Sequence, residues 1–281
     1  MMALFLSEWE RLWKRKLTWL CFLAIPVILL ATAKYYAGLN AQVAPSSPEY
    51  TYASNFAVMA LIEQLLVVFN LVSLVLLTLS FTEEYRSGQL RLVLLRAYSF
   101  GELFRAKALA YLAVMGLYFA CYLILAAAVG PVFFETGEAV SLFYRDAPMA
   151  SAGGMVLYTL GYYGLAALSV LTTGSVFLAI AVLSRSTTAS IGAGLGYLLL
   201  SLGYPTVFDL LRRTGVLQAD GVWQFLSLTQ IQYQGIAMLL GETAAFSSGQ
   251  LALVLLPIAG AYLLAGGLTA WLAFTKPDRW I

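Results

Sequence analysis

Six stretches of this chain run for 20 residues or more with scarcely a charge: about Leu17–Ala37, Phe56–Phe81, Leu103–Val129, Met155–Leu183, Ala189–Phe208 and Leu251–Phe274. A helix needs about 20 apolar residues to cross a bilayer, and one globular core cannot bury six such blocks while its surface stays wet. Composition agrees, with 61% of the 281 residues hydrophobic and 11% charged, against about 45–50% and about 25% in soluble domains. The expected fold class is an all-α polytopic membrane protein with six transmembrane helices, forming one domain over residues 1–281. Several stretches exceed the length a perpendicular helix requires, so tilt or projection beyond the lipid is expected.

Residues Met1–Lys16 read as an amphipathic interfacial helix. Phe5, Leu6, Trp9, Leu12 and Trp13 fall on one face, and Ser7, Glu8, Glu10, Arg11, Lys14 and Arg15 take the other. A signal peptide is the alternative, with Lys14-Arg15-Lys16 as its basic region and Ala31-Thr32-Ala33 as a cleavage site. The two tryptophans, the two glutamates and the five further spans favour a retained anchor. Between the fifth and sixth stretches, residues 209–249 mix Trp223, Phe225, Leu226, Leu228, Ile231 and Met238 with Gln224, Gln230, Gln232 and Gln234. That stretch is too polar to span and too apolar for a free linker. An outer re-entrant or interfacial hairpin is expected, with protein or a wet cavity covering its backbone.

Basic residues set the orientation. With six spans, Arg11, Lys14, Arg15, Lys16, Arg86, Arg91, Arg96, Arg105, Lys107, Arg185, Lys276 and Arg279 share one side, twelve in all. Lys34, Arg145, Arg212 and Arg213 make four on the other. The excess puts both termini in the cytoplasm.

The chain has no histidine, which excludes a Ser-His dyad, His-ligated zinc or haem, and an imidazole proton relay. Cys21 and Cys121 lie inside apolar stretches and read as small buried hydrophobes. There is no GxxxxGK[ST] motif and no Gly-Lys pair, so no nucleotide site is expected. Gly192-Ala193-Gly194-Leu195-Gly196 lies within a span, where small residues let helices approach closely. No catalytic, cofactor-binding or metal-binding residues are expected, and the net charge of +2 gives no sign of nucleic acid as a partner.

Three polar residues stand inside the second stretch: Glu63, Gln64 and Asn70. A carboxylate at bilayer depth costs on the order of 2–3 kcal/mol or more, so it normally faces a partner or a cavity. Glu63 and Asn70 are seven apart, hence on one helical face, and could line a path or pair across a dimer. Equally, Glu63 is only eight residues from Asn55 and could be hydrated near the outer interface. Lys34 can snorkel outward. Ser169, Thr172, Thr173 and Ser175 dot the fourth stretch; hydroxyls in a span more often bond their own helix backbone than a substrate, so no role is read from them.

Residues 82–102 form a hydrophilic turn after the second span. Glu83, Glu84 and Arg86 open it, Gly88 breaks it, and Leu90, Arg91, Leu92, Leu94, Leu95 and Arg96 continue as a short basic-apolar helix. On composition alone this is either a lipid-facing interfacial helix or a docking element for a soluble partner. The segment resembles the first cytoplasmic loop of permeases in the type-2 ATP-binding-cassette exporter family. Glu84, Gly88, Leu90, Leu92, Leu94, Leu95, Ser99, Glu102 and Lys107 fit that loop pattern, while Gln89, Ala97 and Phe100 replace its usual threonine, proline and arginine. The basic leader, the six spans, the short loop Ser184–Thr187 and the semi-polar stretch before the last span extend the resemblance over the full length.

The resemblance implies a coupling helix docked on a separate cytoplasmic ATPase. Glu83, Glu84 and Arg86 would make polar contacts, Leu90, Leu92 and Leu94 apolar ones, and Gly88 would permit the turn. It further implies two copies of that ATPase, which binds the ATP, a second permease subunit, identical or homologous, and a prokaryotic plasma membrane as the site of action. The expected function is the permease subunit of an ATP-driven exporter for a drug, antimicrobial peptide or lipid-like amphiphile. The alternatives are a non-transporting sensor or scaffold, which would lack an ATPase partner, and an ion-extruding permease.

Overall fold

The structure, a computed structural model, describes residues 1–87, 99–137, 140–144, 152–218, 220–241 and 248–276, and all regular structure among them is helical. Among the described residues six helices are long and apolar enough to cross a membrane: Lys16–Asn40, Phe56–Thr82, Phe100–Phe133, Gly153–Ser184, Thr187–Arg213 and Gly249–Thr275. They are termed spans one to six. All but span two, whose bounds match its stretch to within one residue, outrun their apolar stretches by several residues, because a helix continues until a cap stops it. Span three starts at a reciprocal capping box, Ser99 Oγ accepting from the Glu102 amide at 3.2 Å and the Glu102 carboxylate from the Ser99 amide at 2.9 Å. Span five starts at Ser186, which accepts from the Ala189 amide, and is followed by Gly215 at φ 73°, a left-handed position suited to glycine.

Spans two and four form the centre. Within their most apolar windows 67% and 56% of residues are buried, against 17–33% in the other four. Lipid is as apolar as leucine, so close approach of small residues must supply the attraction between spans. A Cβ at Gly266 of span six would meet the Ser175 backbone of span four at 2.6 Å, and one at Gly194 of span five would collide with Leu74 of span two. Gly192 and Gly196 face open space, so of that small-residue run only Gly194 acts as a contact. The hydroxyls of span four bond the backbone of their own helix. Ser169 donates to Ala166 O, Thr172 to Leu168 O, Thr173 to Ser169 O and Ser175 to Thr172 O.

The leader is a helix, Met2–Trp13, but its faces differ from the sequence expectation. Leu4, Glu8 and Leu12 are the buried stripe, and Leu6 is exposed. The leader lies against span three rather than wholly on lipid, and Glu8 turns inward because it meets a buried cation there. Phe5, Trp9, Trp13, Phe22, Tyr118 and Phe69 then form a run of ring contacts, with centroids 5.1–6.2 Å apart, from the leader to the middle of span two.

Span two is not one α-helix. Phe56–Gln64 and Asn70–Ser87 are α-helical, and Leu65–Phe69 between them is a π-helical turn. A π turn holds an extra residue, which rotates the downstream helix by about 100° relative to an unbroken one. The seven-residue spacing of Glu63 and Asn70 therefore does not put them on one face: Glu63 is exposed and Asn70 fully buried.

The stretch before span six also departs from its expected limits. Asp209–Arg213 completes the helix of span five, and Ser248 opens that of span six. Between them lie a 3-10 turn, Gly221–Leu226, and a short helix, Leu228–Leu240, interrupted by a second π turn at Ile231–Gly235. This piece folds back into the bundle. Ser227 donates to Ser201 O of span five at 2.6 Å, Tyr262 of span six donates to Leu226 O at 2.9 Å, and Gln232 reaches Asn70 near the middle of span two.

Candidate functional site

Among the described residues, polar groups interrupt the apolar bundle at the leader end, midway along it and at the opposite end. A buried hydroxyl cluster of Ser201, Ser227 and Thr229 also ties span five to the returning segment. At the leader end Lys107 of span three is 1% exposed and Glu8 is 4% exposed. The Lys107 ammonium donates to Glu8 Oε2 at 2.8 Å and to the Ser80 carbonyl at 2.8 Å, and lies 5.9 Å from the centre of the Phe81 ring. Arg11 donates to the other Glu8 oxygen at 3.0 Å. Burial pushes the Glu8 carboxyl up, but the Lys107 and Arg11 cations outweigh it and hold the group below its ordinary value of 4.5.

This ion pair joins three elements: the leader, the end of span two and the start of span three. Those two spans bracket residues 82–102. The helix of span two runs on to Ser87 and so carries Glu83, Glu84 and Arg86 on its last turns. Gly88, Leu90, Leu92 and Leu94 lie outside the described residues. The same end is braced by Thr78–Ser190 and Thr82–Thr187 hydroxyl pairs, at 2.9 and 2.8 Å, between spans two and five. Phe81, Phe104 and Phe274 form a ring cluster beside the ion pair, with centroids 5.5–5.7 Å apart.

Midway along the bundle the two π turns meet. Asn70 donates to Gln232 Oε1 at 2.7 Å, and Gln232 donates back to Asn70 Oδ1 at 3.2 Å. Both residues are at most 1% exposed. A π turn shifts the backbone ladder by one residue and leaves a carbonyl without its usual partner. The Asn70 amide also donates to Leu66 O at 3.0 Å within that shifted region. The reciprocal amide pair is thus a polar lock between span two and the returning segment.

At the opposite end from the leader, tyrosines from three spans bond the backbone of span two. Tyr163 donates to Ala57 O at 3.0 Å, Tyr122 to Ala60 O at 3.0 Å, and Tyr36 to Met59 O at 3.3 Å. The Tyr36 hydroxyl is also 3.1 Å from Glu63 Oε1. Glu63 borders a cavity of about 340 Å³, whose wall includes Glu49, Tyr35, Tyr36, Tyr144 and Tyr233. Tyr144 has φ 56°, a left-handed conformation that costs a bulky residue on the order of 1–2 kcal/mol. Gly241 accommodates it, since a Cβ there would collide with the Tyr144 carbonyl.

The three polar residues of span two are therefore not brought together. Glu63 borders the cavity, Gln64 donates to Thr32 Oγ1 of span one at 3.2 Å, and Asn70 locks to Gln232. Glu8 and Gln232 are site residues that the sequence alone does not single out. Glu8 carries a signal, since it sits at the i+4 position between Leu4 and Leu12 in a stripe that is otherwise apolar. Gln232 is visible only as one of several glutamines in apolar surroundings, and nothing local points to its partner 162 residues away. No protein-family model, curated protein or solved structure matches the chain.

Proposed function

We propose that the chain is the membrane permease subunit of an ATP-driven exporter, working with a separate ATPase that docks on residues 82–102. The buried Glu8–Lys107 ion pair carries this reading. It fixes the leader to both spans that bracket the docking segment, so a push on that segment is delivered to spans two and three together. A free interfacial loop has no use for a charged anchor taken wholly out of water, which normally costs several kcal/mol before its partner compensates.

The rest of the architecture supports the same assignment. Span two is the most buried of the six, so a tilt begun at its end moves the centre of the bundle. The folded-back segment at 221–240 is read as re-entrant from the outer side, and both termini as cytoplasmic. Two copies of the permease, or this chain and a homologous one, would enclose the path and engage two ATPases. The exposed leucines of spans five and six, such as Leu199, Leu200, Leu253 and Leu264, suit lipid or that second subunit.

The test is purification of the tagged full-length chain from its own membrane in mild detergent. An ATP-hydrolysing partner should co-purify. Glu84→Arg and Gly88→Val should lower transport-linked ATP hydrolysis severalfold while leaving insertion intact. Recovery of the chain without any ATPase would refute the exporter assignment and favour a sensor or scaffold.

A further inference from the structure

The cavity beside Glu63 is built from groups that attract one kind of ligand. Its rings come from three separate segments: Tyr35 and Tyr36 from span one, Phe143 and Tyr144 from the loop after span three, and Tyr233 from the returning segment. Its carboxylates are Glu63 and Glu49, and among the described residues no Lys or Arg is part of the lining. Among the described residues neither carboxylate is in an ion pair. The single Tyr36 proton is shared between Met59 O and Glu63 Oε1, so Glu63 keeps acceptor capacity for something else.

Each simpler occupant leaves part of this wall unexplained. An anion would be repelled by both carboxylates. A hard divalent ion takes six to eight oxygens, and no group of three or more acidic, Cys or His residues occurs among the described residues. A neutral amphiphile would leave the carboxylates without a counter-charge. Tyrosines gathered at a membrane–water boundary account for one exposed ring at a time. They do not account for rings from three segments converging on a carboxylate, one of them held in a strained backbone conformation of the sort found at ligand clamps.

We propose that this cavity binds an organic monocation, an alkyl- or arylammonium of small-molecule size. The charged nitrogen lies against Glu63, where the carboxylate neutralises it. Its alkyl or aryl groups lie on the faces of Tyr35, Tyr36, Tyr144 and Tyr233, whose negative ring faces favour a cation. The volume of about 340 Å³ is at the low end of the roughly 300–1,000 Å³ range of small-molecule sites.

Binding at this cavity needs no ATP, so it is tested apart from the exporter assignment. The full chain, with whatever subunits accompany it, is placed in nanodiscs, and radiolabelled tetraethylammonium binding is measured by equilibrium dialysis. Saturable binding is expected. Choline should compete, and its uncharged isostere dimethylbutanol should not. Glu63→Gln and Tyr233→Leu should each weaken binding about tenfold, in line with loss of the counter-charge or of a ring face, while Glu10→Gln at the opposite end changes nothing. If Glu63→Gln fails to fold, Glu49→Gln combined with Tyr233→Leu carries the same test. Absence of saturable binding, equal competition by the isostere, or undiminished binding in the folded variants would each overturn the proposal.

Discussion

Breaking the Glu8–Lys107 ion pair should detach the leader from the bundle, and its size can be worked from the contacts. Removing one member of a buried ion pair costs about 3–5 kcal/mol, because the remaining charge loses its compensation in a dry site. The two single substitutions are not equivalent. Glu8 is the shared acceptor of Lys107 at 2.8 Å and Arg11 at 3.0 Å, so Glu8→Leu removes both contacts. Lys107→Met spares the Arg11 contact and should fall at the lower end of that range. Each single variant should lower the unfolding midpoint by on the order of 10 °C, with Glu8→Leu the worse. The double variant Glu8→Leu/Lys107→Met should recover much of the loss, since apolar side chains of similar size fill the space without desolvating a charge. The assay is thermal unfolding in nanodiscs, followed by a thiol-reactive dye reporting exposure of the half-buried Cys21 and Cys121. The pH dependence has a definite sign. The folded Glu8 carboxyl titrates below its ordinary 4.5, so its contribution is complete above that pH and disappears as pH falls through the depressed value. Wild type should therefore lose stability on acidification into that window, and the double variant should lose less. Additive single-variant effects, or midpoints unchanged in both single variants, would refute the reasoning.

Asn70→Leu or Gln232→Leu strands a buried amide and should cost about 1–2 kcal/mol, with the double variant costing less than the sum of the two; the same unfolding assay reads it. Gly266→Ala drives a methyl into the Ser175 backbone and should lower the midpoint by the equivalent of about 1–3 kcal/mol, while Gly267→Ala, which faces open space, should be near neutral. For orientation, Gln42→Cys in a Cys21→Ala/Cys121→Ala background should react with an impermeant maleimide on intact cells. Arg185→Cys in the same background should react only after permeabilisation, and the reverse pattern would invert the topology.

The six spans were legible because length and apolar continuity are local properties, and a helix end lies within a few residues of where charges and caps begin. What escaped was every feature created by a long-range partner. Glu8 reads as polar-face until Lys107, 99 residues away, is placed beside it. Lys107 reads as one more cation near a span end, counted toward the charge asymmetry, until it proves to be buried. Asn70 and Gln232 were visible as polar residues in apolar surroundings, but nothing in either segment names the other. The shared face of Glu63 and Asn70 failed because periodicity assumes an unbroken α-helix, and no residue at 65–69 announces the π turn. The segment at 82–102 was conspicuous in the sequence, and its core, residues 88–98, lies outside the described residues.

The π turn makes span two behave as two rods on one axis, each with its own rotational setting. The rod Phe56–Gln64 is aimed so that its carbonyls meet Tyr36, Tyr122 and Tyr163, and the rod from Asn70 onward is aimed at Ser190, Thr187 and Gln232. Deleting one residue between 65 and 69 would restore a continuous α-helix and leave the apolar composition almost untouched, yet it would swing one rod by about 100° against its neighbours. Span length can therefore drift at its ends, whereas the residue count at its centre is fixed, and a hydropathy profile blind to that distinction would score the deleted chain as normal.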